Sequence, residues 1–140
     1  MQVAKVHYND KHAPADFTKS LKETGFGVIT GHPIPIDLVD RVYQEWKTFF
    51  SSTSKHDYLF DSNKQDGYFP IGTENAKGYQ AKDHKEFYHF YPWGRIPDTV
   101  TGATLELYNN LVTMTSTVLE WIEIHTPKKF DRNFVSHLKI

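Results

Sequence analysis

His84-Lys85-Glu86 has the form H-x-E, and His137 lies 51 residues after Glu86. Two histidines and a carboxylate in that order are a variant of the facial triad that holds non-haem Fe(II). Three protein ligands on one face leave open positions for a co-substrate and oxygen. The chain has 8 His and no Cys, so a first-row metal site here must use imidazole and carboxylate. The lack of Cys excludes thiolate zinc, a disulfide framework and a Cys nucleophile. Two observations oppose the set His84, Glu86 and His137, which stands as the alternative to no metal site. The stretch between Glu86 and His137 must supply strands that fold back, yet residues 103–125 read as helix. Only Leu138, Lys139 and Ile140 follow His137, so no arginine is left to grip a dicarboxylate co-substrate.

His84, Glu86 and His89 also raise zinc. A zinc-protease site needs histidines four apart on a helix with Glu next to the first. Here the histidines are five apart and Glu86 stands two after the first. On a strand, His84, Glu86 and Tyr88 share one face and His89 takes the other. Glu86 is therefore expected to pair with a Lys or Arg, and His89 to be a hydrogen-bonded, half-buried side chain. His32, between Gly31 and Pro33, reads either as a general base or as a turn residue whose ring nitrogen bonds backbone. No acid lies near it in sequence, which favours the turn. Gly25-Phe26-Gly27 lacks the rest of a dinucleotide fingerprint, and Ser51, Ser52 and Ser54 lack a G-x-S-x-G elbow.

These residues need elements to hold them. Residues 2–8 alternate as a short strand, and 9–14 read as a turn. Residues 16–24 form a helix, with Phe17 and Leu21 on one face, Pro14 at its entry and Gly25 as its stop. FGVIT, 26–30, reads as a buried strand between glycines. Residues 36–50 are the clearest early helix, with the stripe Tyr43, Trp46, Phe49 and Phe50 assigned to the core. Ser54 with Asp57 is expected to cap a short turn carrying Tyr58. Residues 61–66 and 73–82 are polar loops, 67–70 a strand at a sheet edge, 87–91 a strand and 92–102 an ordered connection. A long helix over 103–125, ended by Pro127, puts its apolar face in the core, with Trp93 and Trp121 packed there too. The result is an α+β fold: one small sheet of short strands under two or three helices, the long one as its backbone.

Length and composition set the outer limits. One domain suits 140 residues, and such a chain buries a real core. With 16 Lys+Arg against 17 Asp+Glu, the net charge of -1 excludes a strongly basic nucleic-acid binder and gives no pull toward anionic membrane. No apolar run is long enough to span a bilayer, and MQVAKVHYND lacks a signal-peptide core. A cytoplasmic chain is expected.

Four segments read together add a resemblance. They are Gly25-Phe26-Gly27-Val28-Ile29-Thr30-Gly31-His32-Pro33-Ile34-Pro35; Phe49-Phe50 with Lys55 and Tyr58; Gly67-Tyr68-Phe69-Pro70-Ile71-Gly72-Thr73-Glu74; and Asp83-His84-Lys85-Glu86-Phe87-Tyr88-His89-Phe90. In order and spacing the stretch from about 15 to 125 resembles the N-terminal region of isopenicillin N synthase-like oxygenases, which use Fe(II) and 2-oxoglutarate. Gly31 stands where that family usually has Asn, and Pro33 where it has Gly. The resemblance places 83–90 before the catalytic barrel, which further opposes the triad reading.

The resemblance implies a C-terminal double-stranded β-helix carrying H-x-D, a distal His and R-x-S. Neither H-x-D nor R-x-S is present; Arg132 is followed by Asn133-Phe134. The chain is thus expected to be one domain, 1–140, lacking the jelly-roll, binding no cofactor itself and catalytically silent. The complete protein is expected to use Fe(II) and 2-oxoglutarate to hydroxylate or desaturate a small organic molecule. Gln65, Asp66, Tyr68 and Phe69 carry over as substrate-proximal positions, with an edge strand packed on the core as their other reading. The alternative is a non-enzymatic interaction module, or a homodimer through an exposed apolar face.

Overall fold

The computed structural model describes residues 2–73 and 82–128. Most of the expected loop 73–82 and nearly all of the tail, His137 included, lie outside the described residues. The element order is β1 (Lys5–His7), α1 (Ala13–Thr24), β2 (Val28–Thr30), α2 (Ile36–Ser51), a 3₁₀ turn (Ser54–Tyr58), β3 (Gly67–Phe69), β4 (Phe87–His89) and α3 (Gly102–His125). The fold of the described residues is α+β, with three helices and two small sheets. The chain divides into two compact units, Met1–Pro35 with Glu106–Ile140, and Ile36–Leu105. The single sheet expected from the sequence is two sheets of two strands each, β1–β2 and β3–β4. No helix among the described residues is long and apolar enough to cross a membrane.

In the first unit, β1 and β2 are parallel because α1 carries the chain back between them. Pro14 sits in the first turn of α1. Gly25 ends the helix in the left-handed conformation, φ 78°, with its N–H on the Leu21 carbonyl at 2.9 Å. Buried Ser20 ties helix to strands: its Oγ accepts from the Ala4 N–H at 2.9 Å and donates to the Phe26 carbonyl at 2.7 Å. Val6, Ala13, Phe17 and Trp121 form the core. The Trp121 ring lies 6.0 Å from Phe17 and 5.4 Å from Tyr8.

FGVIT is shorter as a strand and less buried than expected. Phe26 is 69% exposed and Val28 is exposed as well, because among the described residues β2 pairs with β1 alone. Gly31 has φ 62°, a left-handed conformation that Asn tolerates best among residues with a side chain. A Cβ at Gly31 would also collide with the His7 ring, which favours glycine over asparagine here. The part of α3 in this unit buries Trp121, while Val112, Val118, Leu119 and Ile122 are half-buried and Leu111 is exposed. The expected apolar face is only partly core.

In the second unit, α2 buries Leu38, Val42 and Phe49, a spacing of four and seven that keeps one face inward. Tyr43, assigned to the core from the sequence, is 71% exposed, because one residue past Val42 is a rotation of about 100°. Trp93 is also a correction: it is 75% exposed and stacks on Tyr91 at 5.0 Å. The Ser54–Asp57 cap does not form; Thr53 occupies the N-cap without a side-chain bond, and Ser54 Oγ meets Ser52 Oγ at 2.9 Å. α3 starts under a tertiary cap. Glu45 of α2 accepts the Thr101 N–H at 3.2 Å, the Thr101 hydroxyl and the Thr104 hydroxyl at 3.3 Å. A carboxylate there opposes the positive end of the helix dipole.

Candidate functional site

The residues carried by the sequence motifs meet on the β3–β4 hairpin. Its antiparallel register pairs Gly67 with His89, Tyr68 with Tyr88 and Phe69 with Phe87. Alternation sends Tyr68 and Tyr88 to one face and Phe69 and Phe87 to the other. Tyr68 and Tyr88 lie 6.1 and 5.4 Å from the fully buried Phe49 ring, edge to face. On the opposite face Phe69 stacks on Phe87 at 4.5 Å, Phe60 lies 4.4 Å from Phe69, and His89 lies 4.7 Å from it. The half-buried, hydrogen-bonded His89 expected from the sequence is instead exposed and held by ring contact, since its cross-strand partner Gly67 has no side chain to cover it.

Glu86, just before β4, is the polar centre. Lys55 Nζ donates to its Oε2 at 2.8 Å, the Tyr68 hydroxyl donates to the same oxygen, and Lys55 also donates to the Phe50 carbonyl at 2.7 Å. The pairing of Glu86 with a lysine is as expected from the sequence. The Lys55 bond, then the Tyr68 bond, hold the Glu86 carboxyl below its ordinary range although burial pushes it up. The same bond to Glu86 raises the Lys55 ammonium against its own desolvation. Burial first, then Glu86, raise the Tyr68 phenol.

Asp66 is the second centre, fully buried before β3. Arg95 Nε donates to its Oδ1 at 2.9 Å, Nη2 lies 2.8 Å from Oδ1, and the Arg95 backbone N–H donates to Oδ2. Arg95 Nη2 also donates to the Leu59 carbonyl at 2.8 Å and to the Asp66 carbonyl at 3.1 Å, locking the start of the hairpin. Gly94 is required by this approach, since a Cβ there would lie 2.8 Å from Asp66 Oδ2. Burial pushes the Asp66 carboxyl up, but the hydrogen bonds and charge of Arg95 outweigh it and hold it below the usual carboxylate range. Tyr88, whose hydroxyl donates to the Arg95 carbonyl at 2.7 Å, is pushed up to about 12, by burial first and by Asp66 second.

Both carboxylates have depressed native values, so each stabilises the fold above its unfolded value and loses that contribution as pH falls through its folded value. Protonation favours the unfolded chain there. The expected result is a urea midpoint that is flat near neutrality and declines as pH drops through about 4 and below. Glu86→Gln removes part of that decline and leaves the part due to Asp66. Denaturant midpoints across the acid range, measured for both chains, check this; an identical decline in the variant would refute the role given to Glu86.

The structure brings Asp66, Tyr68 and Phe69 onto one hairpin but gives them different surroundings. Asp66 and Tyr68 are buried with their polar atoms engaged, Phe69 is half-buried, and Gln65 is exposed at the hairpin entry with φ 61°. His32 belongs to the first unit. Its Nδ1 is buried with no hydrogen-bond partner among the described residues, so the ring-to-backbone bond expected for the turn is not made through that atom. Among the described residues no three His, Asp or Glu side chains gather as a metal site. Glu86 Oε2 is taken by Lys55 and Tyr68, His84 is exposed, and His137 lies outside the described residues. The described donors do not fit an iron triad. Arg95 and Glu45 were not foreseen: Arg95 is a lone charge in Tyr91-Pro92-Trp93-Gly94-Arg95-Ile96-Pro97, and nothing local marks Glu45.

Residues 6–112 match the model of the family described as non-haem dioxygenase in morphine synthesis, N-terminal. The chain belongs to this family. In this dioxygenase N-terminal region Phe49, Lys55, Tyr68 and Glu86 meet in one aromatic and ionic centre. The chain is also similar to the crystal structure of a candidate oxygenase from Shewanella oneidensis, with 41% identity and a TM-score of 0.81, over 92% of this chain and 45% of that one. A candidate 2OG-Fe(II) oxygenase family protein from Caulobacter crescentus has 24% identity and a TM-score of 0.75, over 96% of this chain and 51% of that one. At that identity the second likeness shows the fold alone. This dioxygenase N-terminal region spans about half the length of these solved structures. No curated protein matches it significantly.

Proposed function

We propose that this chain is the substrate-proximal N-terminal region of an isopenicillin N synthase-like oxygenase. In the whole protein a double-stranded β-helix would supply the Fe(II) ligands and the 2-oxoglutarate site, for hydroxylation or desaturation of a small organic molecule in the cytoplasm. The observation that carries this reading is the 41% identity over 92% of the chain with a candidate oxygenase of about twice its length. Within it, Asp66 and Tyr68 hold the hairpin in place through Arg95 and Glu86, and Gln65 and Phe69 are the positions left to approach substrate. Residues 1–140 by themselves are inactive on this reading. Anaerobic calorimetric titration of the chain with Fe(II) and 2-oxoglutarate tests it. No stoichiometric binding is expected, and His84→Ala behaves as the parent. Stoichiometric uptake that His84→Ala abolishes would overturn the assignment of 83–90 to the region before the barrel.

A second reading is a non-enzymatic interaction or dimerisation module. Exposed Phe26, Val28 and Ile124 in the first unit favour it. It requires a concentration-dependent dimer in sedimentation, which the first reading does not.

A further inference from the structure

In the second unit, α2, β4 and the first turn of α3 line an open cleft of ≈ 310 Å³. Its walls include Trp46, Phe50, Tyr88 and Phe90, and its polar lining is Glu86 and Thr104. The Trp46 ring lies 5.1 Å from Tyr88, 6.0 Å from Phe50 and 6.3 Å from Phe90. We infer that this cleft binds a small organic cation with an aromatic or apolar body, such as an arylalkylammonium.

Three observations point to that class. The volume lies at the small end of ligand pockets, and the walls are mostly aromatic with few polar groups, as such sites are. The Trp46 Nε1–H is already donated to Thr104 Oγ1 at 3.1 Å, and the Thr104 hydroxyl is donated in turn to Glu45 at 3.3 Å. The indole is thus fixed and offers a ligand only its π system, the best cation acceptor among the aromatic rings. The charged group of the lining itself is acidic. Among the described residues its lining contains no Lys, Arg or His, and Glu86 is its carboxylate. Lys55 and Tyr68 both bind Glu86 through Oε2, which leaves Oε1 as the second acceptor of that carboxylate. Glu45, behind Thr104, adds a second negative charge; the positive charges nearby are Lys55, on Glu86, and Lys85, whose Nζ lies 5.3 Å from the Phe87 ring of the same lining. An ammonium can pair with the Glu86 carboxylate of the lining, from which a neutral apolar molecule gains nothing and which disfavours an anion. The inference concerns residues of this chain alone and does not depend on the oxygenase reading.

The test uses the 140-residue chain and follows the Trp46 indole N–H by nitrogen–proton correlation NMR, assigned with Trp46→Phe. Phenethylammonium is expected to shift that signal saturably, and phenethyl alcohol and phenylacetate to bind about tenfold more weakly or not at all. Phe90→Leu keeps an apolar wall and leaves the Lys55–Glu86–Tyr68 bonds in place; it is expected to weaken the cation by about fivefold. Glu86→Gln is expected to weaken it further, with the spectrum reporting whether the fold is kept. No saturable shift with the cation, equal response to the three probes, or unchanged binding in Phe90→Leu would each overturn the proposal.

Discussion

Phe49→Ala lowers the unfolding free energy of the second unit by about 4 kcal/mol, near the upper end for a large-to-small change in a core. The size follows from position. Phe49 is fully buried and five rings surround it, Trp46, Phe50, Tyr58, Tyr68 and Tyr88, at centroid distances from 5.3 to 6.1 Å. The substitution removes the buried ring surface and also leaves a cavity. The neighbours are rigid, ring-bearing and tied: Tyr68 to Glu86, Tyr88 to the Arg95 carbonyl, Trp46 to Thr104. Collapse into the hole would break those bonds, so relaxation recovers little. Urea unfolding monitored by near-ultraviolet circular dichroism measures the loss. A value under about 2 kcal/mol would show that the cluster repacks freely.

Arg95→Ala costs about 3 kcal/mol, through the charge it leaves behind. Asp66 is fully buried, and Arg95 supplies its forked side-chain partner as well as bonds to the Leu59 and Asp66 carbonyls. Without the guanidinium, a carboxylate stays in low dielectric with the Arg95-position backbone N–H and little else. The Arg95 side chain is partly exposed, so water entering the gap keeps the loss at the lower end of the range for broken buried pairs. Adding Asp66→Asn to Arg95→Ala recovers part of the loss, because the uncompensated charge is then gone. Arg95→Lys does not restore the parent stability, since an ammonium cannot make the forked set of bonds. Equilibrium denaturation of the four chains checks this. A loss under about 1 kcal/mol for Arg95→Ala, or no recovery in the double variant, would contradict it.

Local rules made much of the chain legible from its sequence. Pro14 and Gly25 bracket α1, the three–four spacing marks α2 and α3, and the aromatic runs mark β3 and β4, because each signal acts within a few residues of its effect. The order of the four motif segments also pointed to the family, whose model matches residues 6–112. The pairing of Glu86 with a basic residue was expected, though nothing in the sequence singled out Lys55 as the partner.

Tertiary structure alone decided the rest. Strand pairing is a long-range choice, so the sequence showed the strands but not that they divide into two separate pairs. Tyr43 and Trp93 carry the same apolar surface as Phe49 and Trp121, and only the position of the neighbouring elements leaves the first two in solvent. Asp66 and Arg95 are 29 residues apart and Glu45 and Thr101 are 56 apart, distances over which no periodicity connects them. What each charge does depends on which partner the folded chain delivers to it: Arg95 turns Asp66 from a loop carboxylate into the anchor of the hairpin, while Lys55 and Tyr68 turn the motif glutamate into its polar centre.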